Sequence, residues 1–104
     1  MVEYNYMKNM KTKMNVNIPV TIFREDKKFV AYSPVLDLST SADSFEKVQK
    51  RFVEVVEIFF EELIEMGTSD EILTNLGWRR VDKHWNPPVS VANEVTNISI
   101  PLSN

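Results

Sequence analysis

A chain of 104 residues has room for one hydrophobic core, and 43% apolar with 26% charged residues is the balance of a soluble globular domain. The absence of cysteine excludes disulfide staples, thiolate metal sites and a cysteine nucleophile, and it fits a reducing cytoplasm, the expected location. The net charge of −3 is unevenly spread, because residues 43–71 hold nine acids against Lys47, Lys50 and Arg51; that segment carries −6 and the rest +3, the reverse of the clustered cations a nucleic-acid surface needs.

The first residues, MVEYNYMKNMKTK, contain lysines but no continuous apolar run. Residues 1–14 therefore read as an N-terminal tail or the start of the first strand, not as a signal peptide. No run of about 18 apolar residues occurs, so no membrane span is expected. Residues 15–104 read as a single α+β domain.

From Asn15 to Ile22 the chain alternates, with Val16, Ile18, Val20 and Ile22 on one side and polar residues or Pro19 on the other. Period two predicts a half-buried strand, and Pro19, which cannot donate to a ladder, places it at an edge or a bulge. Arg24–Lys28 is a polar turn, and Phe29-Val30-Ala31-Tyr32 resumes strand-forming residues, which predicts a hairpin. Pro34 ends the second strand, and residues 36–40 predict a short third one.

Asp43 or Ser44 then caps a helix. Glu46 follows Asp43 at capping-box spacing, and its charge suits the positive end of the helix dipole. No proline or glycine interrupts Phe45–Met66, and Gly67 supplies the stop. Phe45, Val48, Phe52, Val55, Val56, Phe59, Leu63 and Met66 hold helical spacing, with Val53, Phe60 and Ile64 forming a second stripe beside them. At ~100° per residue the two stripes cover roughly half the circumference, wider than a minimal core-facing stripe. The second stripe either sinks into the protein's own sheet or touches another subunit, so Val53, Phe60 and Ile64 are candidate oligomer contacts. Glu54, Glu57, Glu61 and Glu65 recur on the side opposite the core stripe, either as a solvated face or as a docking ridge for a basic partner.

Thr68-Ser69-Asp70-Glu71 has the form of a second capping box, and Ile72, Leu73 and Leu76 predict a short helix closed by Gly77. The stretch WRRVDKHW is compatible with a strand or a packed loop. Asn86-Pro87-Pro88 breaks any regular element. Residues 95–102 place Ile98, Ile100 and Leu102 at strand spacing, which predicts a C-terminal strand. The order strand, strand, strand, helix, strand predicts an α+β fold: a small antiparallel sheet with one long helix packed on one face.

Ile18-Pro19-Val20-Thr21-Ile22, the charged turn, Phe29–Tyr32, Pro34, Leu36, Thr40 and then Ala42-Asp43-Ser44-Phe45-Glu46 before a long helix together resemble the HicB-like antitoxin family. The resemblance covers about residues 15–66 and lies in the order and spacing of short motifs. It implies a HicB-like core and an antitoxin-like binding protein that neutralises a small basic RNA-cleaving toxin by occlusion. The family's usual glycines and its DNA-binding tail are not evident. Residues 95–102 could serve as the ribbon of such a tail, but no helices follow to read a groove, so no direct nucleic-acid binding is expected. The alternative function is a stand-alone oligomeric ligand- or protein-binding module on the same fold.

Catalytic patterns are sparse. His84, between Lys83 and Trp85, reads as a packed or surface histidine rather than a general base. Trp78 and Trp85 beside Arg79 and Arg80 either stack on bases or, the favoured reading, close the end of the core. The resemblance implies a core related in shape to ribonuclease H folds, where two-metal hydrolysis needs several converging carboxylates. The first two predicted strands have none, and Asp37 and Asp82 are the only acids in or beside the later ones. The expectation is a non-enzyme without metal or cofactor that self-associates as a dimer or larger.

Overall fold

The computed structural model describes residues 15–103; the tail or strand start expected at residues 1–14 lies outside the described residues. Strands β1 (Thr21–Glu25), β2 (Lys28–Ser33) and β3 (Leu38–Ala42) form an antiparallel sheet in the order β1-β2-β3. The fold is thus α+β, with a long helix α1 (Phe45–Met66), a short helix α2 (Ser69–Asn75) and a separate two-stranded sheet, β4 (Arg79–Val81) and β5 (His84–Asn86).

Turn chemistry sets these boundaries. Asp26-Lys27 closes the first hairpin, with Glu25 paired to Lys28 and Asp26 at φ 58°. Asp37, at φ 51°, ends the turn from Pro34, and Asp82, at φ 58°, turns β4 into β5. A short side chain that hydrogen-bonds locally lets aspartate enter this left-handed region, as the hairpin turns require. The stretch from Trp78 to Trp85 is therefore strand-turn-strand.

Two expected strands are displaced. The first begins at Thr21, not Asn15, because Val16 and Ile18 leave the sheet to pack against a core cluster. The third runs from Leu38 to Ala42, since Val35 and Leu36 are buried within the preceding turn. The C-terminal strand expected near residues 95–102 is not formed: residues 87–103 have no regular structure. Alternation alone cannot make a strand where no described ladder receives it, and Ile98, Ile100 and Leu102 stay exposed.

Helix α1 starts at Ser44, whose extended backbone lets its Oγ accept a hydrogen bond from the Lys47 N–H at 3.2 Å. Asp43 instead pairs with the Lys47 ammonium at 3.2 Å. The helix closes at Gly67 (φ 67°), with the Thr68 N–H bonded to the Leu63 carbonyl. Thr68 is spent on that closure and sits outside the extended region, so the second expected capping box does not form.

The two glycines should respond differently. A Cβ on Gly67 meets nothing within 4 Å among the described residues, whereas one on Gly77 (φ 89°) meets Pro88 Cγ at 3.3 Å. Gly67→Ala should cost about 1 kcal/mol, the left-handed strain alone. Gly77→Ala should cost more, and urea denaturation of both variants reads the difference.

The core has two clusters. Ala31, Ala42, Val48 and Phe52 fasten α1 to the sheet, while Val35, Leu36, Leu63, Leu73 and Trp78 join the far end of α1 to α2 and the β2–β3 turn. Helix α1 lies over β3 and β2, leaving β1 less covered, with only Ile22 half-buried along it. Ser33 is fully buried and its Oγ finds no hydrogen-bond partner among the described residues. Ser33→Ala should therefore raise stability, by about 1 kcal/mol, the desolvation penalty it removes. An unchanged or lowered denaturation midpoint would show that the hydroxyl is satisfied.

Candidate partner-binding surfaces

The acidic ridge is a consequence of helical phase. Val48, Phe52 and Leu63 are buried on one side of α1, and Glu54, Glu57, Glu61 and Glu65 are exposed on the other. Two of the three basic residues near the helix start have other roles: Lys47 faces Asp43, and Arg51 Nη1 donates to the Ser41 carbonyl at 2.7 Å. No basic residue stands in the last turn, so the carboxylates there add to the negative end of the helix dipole.

The second stripe is split. Val53 and Ile64 are each 58% exposed, so they are not core residues. Phe60 is half-buried and packs edge-on against Phe59 and Trp78, with ring centroids 5.4 and 5.8 Å away. It belongs chiefly to the cluster that includes Trp78. Ile58, at 53% exposed, is a further apolar residue on the helix surface.

Trp78 is 2% exposed and its indole Nε1–H donates to the Val35 carbonyl at 2.7 Å. Trp85 is half-buried against the same cluster, and Arg80 lies 5.9 Å from its ring centroid while reaching Asp70 at 3.5 Å. Both tryptophans thus close the core. Sequence reasoning missed that the β4–β5 hairpin presents Arg79, Arg80 and Lys83 at the surface together, because strand and loop could not be separated there. The matching Asp-Lys turns at 26–27 and 82–83 were the signal available.

An open hollow of about 950 Å³ lies between residues 15–19 and the β4–β5 hairpin, with Val16, Ile18, His84, Trp85 and Pro87 on its walls. A smaller one of about 370 Å³ brings residues 88–93 beside Pro19, Thr21 and Val35. Asp37 accepts a hydrogen bond from the Tyr32 hydroxyl at 3.2 Å, which raises the tyrosine pKa above its ordinary value. Asp37 and Asp82 both occupy turns, and among the described residues no three His, Asp or Glu side chains are grouped to hold a metal ion. Among those residues no helix is long and apolar enough to cross a membrane.

No family model, no curated protein and no solved structure matches the chain.

Proposed function

We propose that this chain is an antitoxin-like protein-binding module of HicB type, acting in the cytoplasm, that neutralises a small basic RNA-cleaving toxin by covering its basic surface. The observation that supports this reading best is the exposed ridge of Glu54, Glu57, Glu61 and Glu65 along α1. A ridge of one sign, backed by a dipole end of the same sign, steers a basic protein toward it and raises the association rate. The strand-strand-strand-helix order agrees with the resemblance. Occlusion asks for no reacting group.

A small basic reading frame directly beside this gene favours this reading and its absence the second one below; where present, its product is the partner in the test. Glu57→Lys with Glu61→Lys should slow association about tenfold or more at low ionic strength, with the difference shrinking as salt rises. Circular dichroism should show an unchanged fold, since both side chains are exposed. An unchanged association rate makes the ridge a solvated face and refutes the docking role.

The second reading is a stand-alone oligomeric module. Exposed Val53 and Ile64 on α1 favour it, since an apolar pair beside the partly buried Phe60 suits contact with another copy. Val53→Lys with Ile64→Lys should lower the assembly state in sedimentation if this stripe forms the contact. An unaltered state assigns the contact elsewhere.

A further inference from the structure

The strongest unassigned feature is the segment after the proline pair. Val95 is fully exposed, and Ile98, Ile100 and Leu102 are 70%, 73% and 89% exposed. Such a run of apolar side chains in water needs a cover. Residues 87–103 have no regular structure and residues 88–103 are exposed, so the segment is an arm.

The arm has the pattern of an edge strand. Thr96, Ile98, Ile100 and Leu102 share one parity, and Asn97, Ser99 and Pro101 the other. In a strand, alternate residues direct their N–H and C=O groups to opposite sides. A neighbour on the side served by Ile98, Ile100 and Leu102 therefore meets intact donors. The other side has Pro101, which cannot donate, so only one side is fit for pairing.

The sheet offers one matching edge. On β3, Arg51 already occupies the Ser41 carbonyl. On β1, the two-residue turn makes Glu25 and Lys28 a hydrogen-bonded pair, so Phe23 and Thr21 also bond inward to β2. The N–H and C=O of Ile22 and Arg24 then point outward, with no partner among the described residues. Residues that bond across antiparallel strands share a face. An arm paired through Ile98 and Ile100 thus lays its apolar side chains on the face of Ile22, which packs toward α1. Both phases agree on this geometry.

The same molecule cannot supply that pairing. Residues 88–93 pass beside Pro19 and Thr21, the start of β1, so the arm could only run parallel to its own β1. A second copy related by a two-fold axis can present β1 antiparallel, the more stable ladder. We propose that residues 96–102 of one copy add as a strand to the outer edge of β1 in a second copy, and reciprocally, forming a closed dimer. This inference does not depend on the antitoxin-like reading, which concerns the opposite charge-bearing face of α1.

The experiment combines sedimentation at micromolar concentration with amide hydrogen exchange on the full chain. The wild type should sediment as two chains and protect the amides of Ile22, Arg24, Ile98 and Ile100. Ile98→Asp with Ile100→Asp should halve the mass and lose that protection while leaving β2 amides protected. Arg24→Pro removes an outward donor of β1, along with the guanidinium 5.8 Å from the Phe29 ring centroid, and should do the same; protected β2 amides show that it folds. Mixing the two variants should restore a dimer through the one intact arm and the one intact edge. A monomeric wild type, with or without arm protection, overturns the proposal. So does a dimer that survives the arm substitutions, or one that survives Arg24→Pro while depending on the arm. Loss of dimer with unchanged binding of a basic partner separates this result from the ridge test.

Discussion

Trp78→Ala is expected to lower the unfolding free energy by about 3–5 kcal/mol, a large share of the ~5–15 kcal/mol that holds a domain of this size. The indole is 2% exposed at the junction of Val35, Leu36, Leu63 and Leu73, so truncation to a methyl group opens a cavity there. A second loss adds to the cavity. The Val35 carbonyl, in a residue 6% exposed, gives up its 2.7 Å hydrogen bond from Nε1. Trp78→Phe reduces the packing loss, since it keeps a benzene ring while it removes the donor and three side-chain heavy atoms. It should cost less than Trp78→Ala, about 1–3 kcal/mol, from the unsatisfied buried acceptor together with a smaller cavity. Urea denaturation followed by far-ultraviolet circular dichroism reads both. Near-equal losses for the two variants would place none of the effect in packing of the retained ring.

Phe52→Ala should match it in size by another route. Phe52 is 4% exposed between Ala31, Ala42 and Val48, and the two alanines are what allow α1 to settle closely on β2 and β3. Removing the ring leaves a cavity between helix and sheet, again about 3–5 kcal/mol. Phe52→Leu, which keeps more of the volume, should cost less than about 1.5 kcal/mol. Among the described residues the two core clusters share Leu38 and Val56 as partly buried neighbours. Phe52→Leu and Trp78→Phe in one chain should therefore add to within about 0.5 kcal/mol. A larger coupling would mean that Val56 transmits repacking from one cluster to the other.

The long helix was legible in full, from Phe45 to Met66, because periodicity, an uninterrupted interior and Gly67 all agreed. The hairpin was legible as well, but its strand boundaries were not. Val16 and Ile18 alternate as a strand would, yet their partner is a hydrophobic cluster and not a ladder, which no local pattern distinguishes. Residues 95–102 show the same ambiguity, since alternation states that a segment could pair and never names the edge. The acidic ridge followed from spacing alone. Phe60 did not, because its burial depends on Trp78, a residue 18 positions away. The β4–β5 hairpin was legible in principle, through an aspartate-lysine turn that repeats the one at residues 26–27.

The hydrogen bond between Trp78 and Val35 also has a kinetic meaning. It joins residues 43 apart, whereas β1, β2, β3 and α1 are linked in succession by short turns. Loop closure costs more entropy the longer the loop, and contacts close in sequence form sooner. In refolding, the sheet and α1 should therefore acquire helical circular dichroism before the indole reaches its carbonyl. The burial of Trp78 becomes the late event, a clasp that shuts over a framework already assembled.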